Sequence, residues 1–87
     1  MDIRTLVCKI LIDLNTGEKE PKKEDYGVGM AEFWQAAEII KEQKYAEGVF
    51  IAGRTKNINT IAVAFDGALK RVTQNGLNYI DKYKGKI

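Results

Sequence analysis

Apolar residues near the start of the chain recur every three or four positions, which is the spacing of one face of a helix. They are Ile3, Leu6, Val7, Ile10, Leu11 and Leu14. The polar run Asn15-Thr16-Gly17 follows and ends in a glycine, the residue that most readily takes the left-handed conformation closing a helix. The pattern therefore predicts a first helix over residues 2–14.

Two further helices are predicted before the middle of the chain. Pro21 suits the first position of a helix, because that position needs no backbone N–H donor, and a short helix is expected from there to Tyr26. Gly27-Val28-Gly29 breaks it. Good helix formers then predominate, and the spacing predicts a longer helix over residues 30–44. Its expected buried face holds Met30, Phe33, Ala36, Ala37 and Ile40.

The periodicity changes from helical to alternating after this helix. Residues 49–53 and 61–65 alternate between two faces, as the residues of strands do. The polar, asparagine-containing segment 54–60 lies between them. Two such runs joined by a polar segment predict an antiparallel hairpin.

A last helix is predicted after the hairpin. Thr73 is its expected N-cap, Leu77 and Ile80 lie on its apolar side, and it stops before Gly85. The predicted fold is α+β and mostly helical, with one domain over residues 1–87. The order of three helices, a hairpin and a C-terminal helix is typical of the winged helix-turn-helix, in which the hairpin forms the wing.

Four segments of the chain carry a pattern shared with a known family. They are Ile10–Leu14, Tyr26–Val28 with Phe33, Lys44–Val49 and Val72–Ile80. The last is the most specific, with a threonine, a glycine three residues later and then a tyrosine–aliphatic pair. In these segments, which are spread over residues 10–83, the chain resembles the YjcQ family of small bacterial winged-helix proteins. The resemblance implies a DNA-binding protein of a prophage or another mobile element.

Charge is distributed unevenly along the 87 residues, whose formal net charge is +2. Residues 1–47 hold seven basic and ten acidic side chains, a net charge of −3. Residues 48–87 hold seven basic and two acidic ones, a net charge of +5. Attraction to a polyanion must therefore come from the C-terminal half. An equally open interpretation is that these charges only keep the surface soluble.

Seven residues are candidates for contact with double-stranded DNA. They are Gln35, Lys41, Arg54, Lys56, Asn57, Lys70 and Arg71. Glutamine can recognise adenine, and the basic wing residues can contact phosphates. Three glutamates (Glu32, Glu38 and Glu42) share the exposed side of the third helix and oppose phosphate binding. The expected function is a small regulatory or accessory factor in transcription that binds DNA weakly as a monomer, so that a homodimer would help.

A second hypothesis is a winged-helix adaptor that binds another protein through its third helix and does not bind DNA. Trp34, at the edge of that helix, either meets a partner or packs partly into the core. Four tyrosines are interpreted as packing at the edge of the core rather than as stacking platforms for nucleobases. They are Tyr26, Tyr45, Tyr79 and Tyr83.

The sequence predicts no enzymatic activity. It contains no histidine, the commonest general base and metal ligand. Cys8 is interpreted as a small buried hydrophobe. The glycines of residues 27–29 lack the third glycine of a dinucleotide loop, and the acidic residues of 18–25 do not match a calcium loop. No metal, cofactor or small-molecule ligand is therefore expected.

Three features of the sequence bear on location. No apolar run approaches the roughly 18 residues that span a bilayer, and the N-terminus does not resemble a secretory signal. A lone cysteine suits a reducing compartment. The sequence therefore predicts a cytoplasmic protein without membrane contact.

Overall fold

The computed structural model describes residues 2–16, 20–52, 62–65 and 71–84. Within these ranges the chain forms three α-helices, a short 3-10 helix and four strands. In chain order they are α1 (Ile3–Thr16), the 3-10 helix (Lys23–Tyr26), α2 (Met30–Glu42), β1 (Ala46–Glu47), β2 (Val49–Ala52), β3 (Ala62–Phe65), β4 (Arg71–Val72) and α3 (Gln74–Tyr83). The fold is α+β and mostly helical, as the sequence predicts.

The core lies between α1, α2 and the strands. The apolar stripe predicted for α1 is buried at Leu6, Val7, Cys8, Ile10, Leu11 and Leu14. From α2 the core receives Phe33, Ala36, Ala37 and Ile40. The strands close it with Ala46, Val49, Phe65 and Val72. Burial of each large aliphatic or aromatic side chain stabilises the folded state by about 1.5–3 kcal/mol. The packing of α1 against α2 therefore contributes much of the stability of the fold.

The segment before α2 departs from the predicted helix. Instead of a helix from Pro21 to Tyr26, only Lys23–Tyr26 are helical, and they form a single 3-10 turn. The Lys22 N–H donates to Oδ2 of Asp25 at 3.0 Å, which fixes the start of the turn. Gly27 follows with φ of 66°, a left-handed conformation that ends the turn after four residues. The described chain before β1 therefore holds two α-helices and a 3-10 turn rather than three helices.

α2 ends at Glu42, two residues earlier than predicted, in a Schellman motif. The Tyr45 N–H donates to Ile40 O at 2.9 Å, and the Lys44 N–H donates to Lys41 O at 3.2 Å. Lys44 takes the left-handed conformation between them, with φ of 57°. Glycine is the usual residue at this position, since a Cβ makes the conformation costly.

The predicted hairpin is present as β2 and β3, which pair antiparallel with Val49 opposite Phe65 and Ile51 opposite Val63. Val49 and Phe65 face the core, whereas Phe50 lies on the outer face and is 51% exposed. The connecting segment 53–61 lies outside the described residues. On β3, the Phe65 N–H donates to Oε1 of Glu20 at 2.9 Å, so the segment before the 3-10 helix contacts the hairpin.

A second pair of short strands, which the sequence pattern does not predict, joins β1 to β4. Ala46 lies opposite Val72 and Glu47 opposite Arg71 in an antiparallel register. The pairing brings the end of α2 beside the start of α3. The predicted N-cap of α3 is confirmed, since Thr73 Oγ1 accepts from the Gly76 N–H at 3.2 Å.

Candidate nucleic-acid interface

The structure describes the side chains of two of the seven predicted contact residues. Gln35 and Lys41 are both exposed on α2. Arg71 lies in β4 and is described through its backbone alone. The remaining four fall in parts of the chain that are not described, namely Arg54, Lys56, Asn57 and Lys70.

The outward face of α2 is acidic. With its apolar face turned to the core, the helix leaves Gln35 and Glu42 exposed and Glu38 half-buried. At 100° per residue, Lys41 lies about 120° around the helix from Gln35. The structure therefore separates the two predicted contact residues of α2, and it surrounds Gln35 with carboxylates rather than with ammonium groups.

Lys41 instead belongs to a groove of about 360 Å³ between the end of α2 and the start of α3. We call it the lysine groove. Its lining residues are polar or charged except for Ala46, and they are Lys41, Lys44, Ala46, Glu47, Thr73, Gln74 and Asn75. Four of its polar residues were not predicted from the sequence, because β1–β4 pairing between distant segments brings them together. They are Lys44, Glu47, Gln74 and Asn75.

Thr73 links the two walls of the lysine groove through hydrogen bonds. Its N–H donates to Tyr45 O at 2.9 Å, and its hydroxyl donates to Lys44 O at 2.5 Å. The same hydroxyl oxygen accepts from the Gly76 N–H as the cap of α3. Gly76 is buried against the Tyr45 carbonyl, where a side chain has no room. The threonine and glycine of the predicted family pattern therefore act together to dock α3 on the end of α2.

The lysine groove suits an anion. Lys41 and Lys44 are both exposed, and in the described part of the chain neither ammonium group is paired with a carboxylate. The first N–H groups of α3, at Gln74 and Asn75, have no partner within the helix and carry its positive dipole end. Glu47 also lines the groove and reduces this positive character.

Three tyrosines form a row beside the lysine groove. The Tyr45 and Tyr79 rings have centroids 4.8 Å apart, and those of Tyr79 and Tyr83 are 4.5 Å apart. The predicted packing at the core edge is confirmed for Tyr26, Tyr45 and Tyr79, all of which contact the core. Burial, reinforced by the neighbouring tyrosines, raises the pKa of Tyr79 to about 12. The Tyr79 hydroxyl donates to the carbonyl oxygen of residue 4 at 3.2 Å.

A further pocket, of about 320 Å³, lies where α1 meets the 3-10 helix. The Tyr26 hydroxyl there donates to Oδ2 of Asp13 at 2.6 Å. Burial and this carboxylate raise the pKa of Tyr26 well above its ordinary value. Tyr26 thus remains a protonated donor. Among the described residues, no group of three or more histidine, cysteine or acidic side chains is arranged to hold a metal ion.

Trp34 is half-buried on α2. In the described residues it is not one of the partly buried hydrophobic side chains that pack against the core. Packing of Trp34 into the core is therefore not seen among the described residues, and its contact with a partner stays a prediction.

Comparison with protein-family models, curated proteins and solved structures gives no match for this chain. The resemblance to the YjcQ family therefore remains a prediction from the quoted segments. Within the described ranges, no helix combines the length and the apolar character that crossing a membrane requires.

Proposed function

We propose that this protein is a winged-helix DNA-binding factor with a small regulatory or accessory role. In this assignment α2 is the last helix before the wing, β2 and β3 are the base of the wing, and α3 is the C-terminal helix. The order of the elements supports it, because an α1–α2 pair packed through apolar faces is followed directly by an antiparallel hairpin. The resemblance to the YjcQ family points the same way.

The observation that carries the proposal is the lysine groove. Lys41 and Lys44 supply two ammonium groups beside the N-terminal turn of α3, an arrangement that favours a phosphate. Arg54 and Lys56 lie in the sequence between β2 and β3, and we expect them to add one or two further contacts. We therefore expect about three or four phosphate contacts and weak, strongly salt-dependent binding by a monomer.

Base recognition is expected to contribute little. Gln35 is the residue of α2 that suits adenine, and Glu38 and Glu42 share its outward face. Carboxylates accept hydrogen bonds from cytosine but are repelled by the phosphates on either side of the DNA major groove. The protein is therefore expected to bind the DNA backbone with a weak sequence preference.

Fluorescence anisotropy with a mixed-sequence duplex tests the proposal. Between 50 and 200 mM salt, affinity should fall about 40- to 150-fold. The double variant Lys41→Ala/Lys44→Ala should bind more weakly, and its log–log salt slope should be smaller by about 1.8, because each lost contact removes about 0.9.

A charge-matched variant provides the control. Lys9 and Lys22 are exposed and do not line the lysine groove. Lys9→Ala/Lys22→Ala should therefore keep most of the salt slope, although it lowers net charge equally. Absence of duplex binding at low salt would refute DNA binding. If the salt slope of Lys41→Ala/Lys44→Ala is unchanged, the lysine groove is not part of the DNA interface. The wing is then the remaining candidate, and Arg54→Ala/Lys56→Ala tests it.

The adaptor hypothesis is a second candidate, favoured by the outward face of α2. The carboxylates of Glu38 and Glu42, together with the half-buried Trp34, suit a protein partner with a basic surface. If α2 binds such a partner, Glu38→Lys and Trp34→Ala should each abolish its co-purification, whereas Lys41→Ala/Lys44→Ala should retain it. The opposite pattern would assign the contact to the lysine groove.

A further inference from the structure

The row of tyrosines and the lysine groove form one continuous surface. A second groove, of about 230 Å³, is lined by the three tyrosines together with Asn75, Asn78 and Lys82. We call it the tyrosine groove. Asn75 lines both grooves, and Tyr45 lies in the chain directly after Lys44. The ammonium groups of the lysine groove therefore adjoin the aromatic rings of the tyrosine groove.

We propose that this continuous surface binds single-stranded nucleic acid, with phosphates in the lysine groove and bases on the tyrosines. The ligand differs from the duplex proposed above, because the bases of a duplex are stacked and paired and reach an aromatic surface only at the cost of unpairing. Proteins that bind single strands combine a positively charged groove with aromatic rings on which bases stack. The described residues supply both components.

The tyrosine groove places aromatic rings beside a cation. Neighbouring rings are tilted by 40° to each other, with Tyr79 between Tyr45 and Tyr83. Lys82 Nζ lies over the Tyr83 ring, 5.4 Å from its centroid, so a base that stacks on this face displaces the ammonium group, which then lies within reach of the phosphate of the same nucleotide.

The asparagines add hydrogen-bonding groups at the edge of the row. Asn75 and Asn78 are exposed on the side of α3 that lines the tyrosine groove. The Asn78 side-chain oxygen accepts from Gln74 Nε2 at 3.0 Å, which holds this amide beside the rings. Asparagine amides pair with the edges of unpaired bases, adenine above all.

Core packing accounts for only part of the row. Tyr45 and Tyr79 contact the core, whereas Tyr83 is not among the described hydrophobic side chains that do so. Tyr83 extends the row beyond the core, next to Lys82 and towards the end of α3. The position of Tyr83 therefore makes it the residue that separates binding from stability.

Anisotropy with a labelled single strand of about 15 nucleotides, as DNA and as RNA of the same sequence, tests this inference beside the duplex. Tyr83→Leu should weaken single-strand binding about tenfold and leave duplex affinity within about twofold, because stacking is lost and phosphate contacts remain. Tyr83→Phe should bind as the wild type does. Leu77→Ala, at a 38% exposed position on the opposite side of α3, is the control and should have no effect.

Circular dichroism establishes whether Tyr83→Leu folds. If it does not, Lys82→Gln, at an exposed position of the same groove, should weaken single-strand binding more than duplex binding. Unchanged single-strand affinity in folded Tyr83→Leu and in Lys82→Gln would overturn the inference. Duplex binding without single-strand binding would overturn it and leave the proposed function standing. If the wild-type protein binds the single strand but not the duplex, and these variants lose single-strand binding, the inference is supported and the proposed function is refuted. The ratio of DNA to RNA affinity identifies the nucleic acid.

Discussion

Gly76 lies where α3 crosses the chain that leaves α2, and no other residue fits there. A Cβ at this position would lie 2.1 Å from the Tyr45 carbonyl oxygen and 2.6 Å from Cγ1 of Val72. The first of these atoms belongs to the backbone, so the clash is relieved only if α3 moves away. Gly76→Ala is therefore expected to lower the free energy of unfolding by about 3 kcal/mol, measured by urea denaturation.

Asn75→Ala is the control for this substitution. Asn75 is exposed in the same turn of α3, so its truncation should change the free energy of unfolding by less than about 0.5 kcal/mol. Equal losses in the two variants would show that this turn is generally sensitive and that the close approach at Gly76 is not the cause.

Lys44 combines a strained backbone with a proposed phosphate contact. Its φ of 57° favours glycine, and replacement by glycine relieves about 1 kcal/mol of strain, partly offset by the greater freedom of the unfolded chain. We therefore expect Lys44→Gly to unfold at a slightly higher urea concentration and to bind duplex DNA severalfold more weakly. A variant that loses both stability and affinity would contradict this separation.

At the scale of elements, Tyr79 links α3 to α1. Its phenol holds the proton more tightly in the folded protein, with a pKa of about 12, than in the unfolded chain, where the pKa is about 10. The resulting stabilisation is complete below pH 10 and is lost as the pH rises towards 12. Tyr79→Phe should therefore show a smaller loss of stability between pH 10 and 12 than the wild type, measured by urea denaturation across that range. Identical pH profiles would show that the phenol titrates alike in both states.

Glu20 connects the segment after α1 to β3. Its carboxylate accepts from the Phe65 N–H, which would otherwise lie unpaired at the edge of a two-stranded hairpin. Glu20→Ala should therefore speed hydrogen exchange of the Phe65 amide, whereas Glu20→Gln, which keeps an acceptor oxygen, should speed it less. Exchange that is equally fast in all three proteins would show that the contact does not protect this amide.

Sequence periodicity predicted α1, α2 and the hairpin, because each buries a face large enough to leave a regular pattern. The prediction of α3 rested more on its N-cap Thr73, since Leu77, predicted on its apolar side, is 38% exposed. Periodicity did not predict β1 and β4, since strands of two residues have no detectable period and their pairing joins distant segments. The lysine groove depends on that pairing. Lys41 could therefore be proposed from its place on a helix, whereas Lys44, Gln74 and Asn75 became candidates only once α3 was seen beside α2.

At the scale of the whole molecule, the described surface separates charge. The outward face of α2 carries carboxylates, and the lysine groove carries ammonium groups around the C-terminal end of the same helix. A polyanion that enters the groove is therefore attracted at one side of the molecule and repelled at the other. This separation predicts an orientation in which the outward face of α2 points away from the DNA.

Neutralising that face tests the orientation. If the face points away from the DNA, Glu38→Gln/Glu42→Gln should change duplex affinity by less than about twofold at about 0.1 M salt, because charges farther from the phosphates than the Debye length of about 10 Å are then largely screened. A gain of about tenfold or more would place α2 in the major groove, where removal of two opposing carboxylates is strongly favourable. Gln35→Ala separates the same two orientations without altering charge, because it weakens binding only if α2 contacts the bases.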